Sequence, residues 1–115
     1  MFKNLRSLIL INTGLTWKSF FKVVSAFKHV HEFILCKNNL SDTVNIDHTK
    51  LDYLEEARFL NLEECNLTQF STLHVYSKLP KLEKLILNKN GLKELGKDIT
   101  GFTQLKHLSV QFCSF

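Results

Sequence analysis

An eleven-residue pattern returns five times along this chain, and few folds can accommodate it. The pattern is Leu-x-x-Leu-x-Leu-x-x-Asn-x-Leu, with other apolar residues standing for Leu and Cys or Thr for Asn. It reads Leu5, Leu8, Leu10, Thr13, Leu15, then Val30, Phe33, Leu35, Asn38, Leu40. It returns as Ala57, Leu60, Leu62, Cys65, Leu67, then Leu82, Leu85, Leu87, Asn90, Leu92, and ends as Leu105, Leu108, Val110, Cys113, Phe115. The copies start at 5, 30, 57, 82 and 105, so the steps are 25, 27, 25 and 23 residues. That is the leucine-rich-repeat period. The expected fold is α/β: a solenoid of five parallel strands lining a concave face, joined by helical or 3₁₀ returns, in one domain over 1–115.

Strand side chains alternate with period two. Positions four and six of each copy therefore face the core: Leu8 and Leu10, Phe33 and Leu35, Leu60 and Leu62, Leu85 and Leu87, Leu108 and Val110. One coil cannot bury its own apolar face, but stacked neighbours bury it together. Each fully buried Leu contributes roughly 1.5–3 kcal/mol.

Position nine carries Thr13, Asn38, Cys65, Asn90 and Cys113. Here the backbone bends inward and takes polar groups away from water. An Asn side chain has both donors and an acceptor for them. Thr and Cys are smaller, weaker substitutes. These residues are read as a structural ladder.

The returns differ. Residues 16–29 are predicted to be a helix, with Thr16 as N-cap and Phe20, Val24 and Phe27 at helical spacing beside Trp17 and Phe21. Residues 68–79 repeat the idea with Phe70, Leu73 and Tyr76, stopped by Pro80. Residues 42–53 are more polar and read as a looser, longer connection. Residues 93–104 hold Gly96 and Gly101 and suit a short 3₁₀ or extended return with Leu95, Ile99 and Phe102 tucked inward.

Positions three, five and seven face away from the core and should line the concave face. The candidate protein-binding residues there are Ile9, Glu32, Ile34, Phe59, Asn61, Glu63, Lys84, Ile86, Asn88 and His107. Ser7, Ile11, Cys36, Ser109 and Gln111 complete the face, with Cys36 expected at its surface. Ile9, Ile34 and Ile86 form an interrupted apolar stripe. Two readings stand: ordinary β-propensity, or a partner-binding stripe with Glu63 and Lys84 as polar neighbours.

Other chemistry is poorly supported. The sequence has no glycine-rich phosphate loop, HExxH motif or clustered carboxylate pair. His29 and His31 beside Glu32 lack a third ligand at suitable spacing, so neither metal nor cofactor is expected. Cys36 with His31 has no orienting third group, so catalysis is not expected. Glu55, Glu56, Glu63 and Glu64 read as a solvated acidic patch. The net charge of +4 and pI near 9.0 come from scattered lysines, densest at Lys78, Lys81, Lys84, Lys89, Lys93 and Lys97. That balance favours an acidic partner. No basic patch interleaved with aromatics points to nucleic acid. No run of 18 apolar residues points to a membrane span.

The basic and apolar start imitates a signal peptide, but Leu5, Leu8 and Leu10 are repeat positions and no cleavage site follows. The three cysteines, Cys36, Cys65 and Cys113, cannot pair completely, and none belongs to a clustered cysteine cap, which points to a reducing compartment. Two sequons, Asn39-Leu40-Ser41 and Asn66-Leu67-Thr68, are of a kind the repeat itself generates. Four residues precede the first copy and none follows the last. No polar cap is present at either end, which predicts a segment, truncated at both ends, of a longer protein.

A resemblance adds to this reading. Leu8-Ile9-Leu10-Ile11-Asn12-Thr13-Gly14-Leu15-Thr16-Trp17 resembles the leucine-rich segment of the tubulin-folding cofactor E and cofactor E-like family, where a strand ends in Asn-x-Thr-Gly-Ile-Thr-Trp or a near variant. Lys78-Leu79-Pro80-Lys81-Leu82-Glu83-Lys84-Leu85-Ile86-Leu87 is similar to that family's Leu-Pro-x-Leu-Glu-x-Leu-Ile-Leu stretch. Leu105 to Val110 fits its next strand. The resemblance implies a cytoplasmic, cytoskeleton-associated tubulin chaperone that is not an enzyme. Its partners would be α-tubulin and other tubulin-folding cofactors, in assembling or dismantling the αβ heterodimer. The family's CAP-Gly and ubiquitin-like modules have no counterpart within these 115 residues. A generic intracellular scaffold or regulatory module with another client is the alternative. An extracellular receptor fragment is a third reading, which glycans at Asn39 or Asn66, or disulfides in flanking sequence, would support.

Overall fold

The computed structural model describes residues 2–93, 97–111 and 113, with the backbone alone described at 70–73 and 97–98. The repeat residues Leu95, Gly96 and Phe115 lie outside the described residues, and Phe70, Leu73 and Lys97 outside the described side chains.

Each copy of the pattern forms one short strand at its positions three to five. These are β1 (Ser7–Ile9), β2 (Glu32–Ile34), β3 (Phe59–Asn61), β4 (Lys84–Ile86) and β5 (His107–Ser109). They make one five-stranded sheet in chain order, parallel throughout. The register follows the repeat: Ser7, Glu32, Phe59, Lys84 and His107 lie side by side, as do Ile9, Ile34, Asn61, Ile86 and Ser109. Parallel neighbours need a crossover on one side. The returns supply it and bury one face, which makes the domain α/β.

Position-four and position-six side chains fill that face in the middle copies. Phe33, Leu35, Leu60, Leu62, Leu85 and Leu87 are all buried. Leu8, Leu10 and Val110 are only half-buried, and Leu108, expected in the core, is 37% exposed. Among the described residues β5 has one strand neighbour, β4, so Leu108 is flanked on one side where Leu60 and Leu85 are flanked on two.

Helix α1 (Trp17–Val23) opens with the predicted Thr16 cap. Thr16 Oγ1 accepts the Ser19 N–H at 3.2 Å, and Ser19 Oγ accepts the Thr16 N–H at 3.1 Å. This is a capping box with Ser in the place usually held by Glu. The helix is shorter than predicted. Val23 leaves helical geometry at φ −124°, and a 3₁₀ turn, Val24–Phe27, leads to the next strand. The other returns are 3₁₀: Thr43–Asn45 and His48–Leu54, Phe70–Lys78, and Lys97–Gly101. The α-helix predicted over 68–79 is therefore corrected. A 3₁₀ helix rises about 2.0 Å per residue against about 1.5 Å, so it crosses the same span with fewer residues. Leu79 is extended before Pro80, as the ring requires. Ile99 and Phe102 are half-buried against the core.

Aromatic rings dominate the first half of the core. Phe20 stands within 6 Å, ring centre to ring centre, of Trp17, Phe21, Phe27 and Phe33. Such pairs add about 0.5–1.5 kcal/mol each beyond area burial.

Candidate functional site

The face opposite the returns is open. Position-five and position-three side chains project there because positions four and six point into the core. Ile9 is 57% exposed, and Glu32, Lys84 and His107 are exposed. Ile34, Phe59, Asn61, Glu63, Ile86 and Asn88 are half-buried. All ten candidate binding residues thus lie on or beside one sheet face. Ile11 is exposed on the same face, at 47%.

Cys36 departs from expectation. Its position-seven place predicts a surface residue, yet it is only 6% exposed. Ile11 and Glu63 are its position-seven counterparts on the flanking copies. Burial pushes its thiol above the ordinary cysteine value, with Glu63's charge adding to the effect.

Polar side chains on the face are partly occupied by the fold. Asn61 Oδ1 accepts the Glu63 N–H at 3.1 Å. Asn88 Oδ1 accepts Ser109 Oγ–H at 2.8 Å and the Gln111 N–H at 2.7 Å, joining β4 to β5 beyond their ladder. Phe59 and Lys84, cross-strand partners in position three, make a different contact. Lys84 Nζ lies 5.2 Å from the centre of the Phe59 ring. An ammonium over an aromatic face is attracted by the ring's quadrupole.

The position-nine residues sit at the sheet's far edge and hold neighbouring copies together. Asn38 Oδ1 accepts the N–H groups of Thr13 and Leu15, and its Nδ2 donates to the carbonyls of Leu10, Leu35 and Cys36. Asn90 does the same one step on: Oδ1 accepts from Cys65 and Leu67, and Nδ2 donates to Leu62, Leu87 and Asn88. The cysteines bring a thiol donor in place of the amide. Cys65 Sγ donates to Leu35 O at 3.2 Å and Glu63 O at 3.4 Å; Cys113 Sγ donates to Leu87 O at 3.5 Å. Thr13 is exposed, and both its N–H and its hydroxyl donate to Asn38.

Charges concentrate at the opposite edge, where the strands begin. Lys81 Nζ pairs with Glu56 at 3.0 Å, His31 lies 4.0 Å from the same carboxylate, and Lys106 faces Glu83 at 3.8 Å. The hydrogen bond from Lys81 holds the Glu56 carboxyl below its ordinary value. The four glutamates read as one patch lie at both ends of β3: Glu55 and Glu56 before it, Glu63 and Glu64 after it.

An enclosed cavity among Trp17, Phe21, Leu60 and Tyr76 holds about 20 Å³, room for about one water. Among the described residues no three His, Cys, Asp or Glu side chains gather as a metal site. Nor is any helix among them long and apolar enough to cross a membrane.

No protein-family model matches the chain. It is 30% identical over 99 residues to tubulin-folding cofactor E of Arabidopsis thaliana, a match covering 86% of this chain and 19% of that protein. It is 30% identical over 116 residues to tubulin-specific chaperone E of Mus musculus, covering 95% of this chain and 21% of that one. The Homo sapiens tubulin-specific chaperone E is also 30% identical, over 92% of this chain and 21% of its own length. The chain spans about a fifth of the length of the curated relatives it matches.

Proposed function

The chain belongs to the cofactor E-like family, and on that footing we propose that it is a leucine-rich-repeat solenoid segment that binds α-tubulin. The open sheet face is the binding surface. The role is one of binding, not catalysis, in tubulin folding or in assembly and disassembly of the αβ heterodimer. It is exercised in the cytoplasm, at the cytoskeleton, alongside other tubulin-folding cofactors. Kinship to tubulin-specific chaperones over most of the chain is the observation that carries this reading.

The face supports it. Ile9, Ile34 and Ile86 present aliphatic surface that the core does not need, and half-buried apolar groups ringed by polar ones make effective contact centres. The net charge of +4 favours an acidic client.

The test is capture of purified αβ-tubulin by the chain, beside an Ile34→Lys/Ile86→Lys variant shown to be folded by circular dichroism. Salt-resistant capture by the wild type, lost in the variant, is expected. A folded wild type that captures no tubulin refutes the assignment.

A further inference from the structure

Resting on that reading of the open face, we propose that its central contact is with a carboxylate of the bound segment. Lys84 takes the acidic group, while Phe59, with Ile34 and Ile86, takes an aliphatic side chain next to it.

Phe59 lies on β3, the middle strand, and is the one phenyl ring among the described residues at positions three, five and seven. It is half-buried, so it offers a ring without having to be ordered first. Lys84, in register on β4, holds its ammonium 5.2 Å from the ring centre. A ring face satisfies the charge electrostatically but accepts no conventional hydrogen bond, so the three N–H donors stay available. Among the described residues Lys84 makes no ion pair, whereas Lys81 and Lys106, at the sheet edge, face Glu56 and Glu83. Lys84 is thus a placed but uncommitted cation on the binding face.

The surrounding charges give the contact a direction. Glu32 lies in register on the other side of Phe59, on β2, and Glu63 lies just past β3. Lys84 and then His107 follow toward β5. The face therefore carries its carboxylates toward β2 and β3 and its ammonium, Lys84, on β4, with His107, Ser109 and Gln111 beyond it. A client carboxylate is repelled from the first half and drawn to the second, which fixes how an acidic-aliphatic segment lies across the strands. Ile34 and Ile86 flank Asn61 in the adjoining row and offer the apolar rim that a bound segment would cover.

The experiment measures the affinity of the chain for αβ-tubulin as salt is raised, with Lys84→Glu, Lys84→Met and Ile34→Lys/Ile86→Lys, each checked for folding by circular dichroism. Lys84→Glu is expected to weaken binding on the order of tenfold or more. Lys84→Met keeps the apolar stem, so it should weaken binding less and flatten the salt dependence. Wild-type affinity in Lys84→Glu, with binding lost in Ile34→Lys/Ile86→Lys, overturns this inference and leaves the open-face site standing. Wild-type affinity in both overturns the site itself. No binding by the folded wild type overturns the tubulin reading and this inference together.

Discussion

Asp42 caps helix α1 from the following copy of the repeat: its Oδ1 accepts the Trp17 N–H at 2.9 Å and its Oδ2 the Lys18 N–H at 3.0 Å. Thr16 is the helix's own cap and serves Ser19. The two caps together satisfy three of the four N–H groups that a helix start leaves unpaired. Asn45 Nδ2 steadies the same carboxylate at 3.1 Å. A contact between sequence-distant residues thus ties the first return to the second.

Asp42 gives this junction a pH dependence. Partial burial works against the carboxylate, but the hydrogen bonds from Asn45, Trp17 and Lys18 outweigh it and hold the carboxyl below its ordinary value. A depressed folded-state value contributes stability above the unfolded-state value of about 3.9, lost as pH falls through the folded one. Asp42→Ala is expected to cost about 1 kcal/mol at neutral pH. Asp42→Asn keeps an acceptor but no charge, so its melting temperature should fall less than the wild type's as pH is lowered from about 5 to about 2. Parallel pH profiles for the two proteins would remove Asp42 as the source.

Asn90 and Asn38 do the same job in different surroundings. The N–H groups that Asn90 accepts, on Cys65 and Leu67, are buried, while those of Thr13 and Leu15 at Asn38 are partly exposed. Removing Asn90 leaves groups that water cannot reach, at about 1–3 kcal/mol for each unsatisfied group. Asn90→Ala should therefore destabilise more than Asn38→Ala in urea unfolding. An equal or reversed order would show that Asn90's partners find other bonds.

This contrast marks what the sequence could reveal. The strands and their register were legible, because period two within a copy and a period near 25 between copies leave one way to stack Leu8, Phe33, Leu60, Leu85 and Leu108. The open-face rows, including the neighbourhood of Phe59 and Lys84, follow from the same register. The burial of Cys36 was not legible, since period two assigns it to the open face and says nothing of how deep a short side chain sits there. Neither were the 3₁₀ returns. Phe70 to Tyr76 carries helical spacing, but the span to be crossed decides the helix type. Asp42 stands two residues after a position-eleven Leu, as Trp17 does, yet its capping role appears only when neighbouring returns are laid side by side.

Cys65 should behave as an inert thiol. Burial pushes it up to about 11, and its Sγ–H is spent on two carbonyls. The thiolate is the reactive form, and at neutral pH Cys65 holds almost none. Labelling of the folded protein with a thiol reagent should reach half-buried Cys113 first and Cys65 only through unfolding. Modification of Cys65 at the rate of Cys113 would refute the buried assignment.

Tyr76 and Trp17 offer the opposite case, polar atoms that the core does not use. Their rings lie 6.0 Å apart, and the Tyr76 hydroxyl and Trp17 Nε1 are buried near one another without meeting hydrogen-bond geometry. Burial raises the phenol above its ordinary value, Cys65 and Asp42 add to the rise, and the Trp17 indole opposes it. A buried hydroxyl without a partner costs about 1–3 kcal/mol relative to solvent, and its removal leaves the ring packing intact. Tyr76→Phe should therefore leave the melting temperature unchanged or raise it, in contrast to Phe20→Ala, which empties the aromatic cluster at a cost of about 3–5 kcal/mol. A loss above about 1 kcal/mol in Tyr76→Phe would mean that the hydroxyl is bonded in solution. The first suspect would then be the indole N–H beside it, and a double-mutant cycle with Trp17→Phe would read that coupling directly.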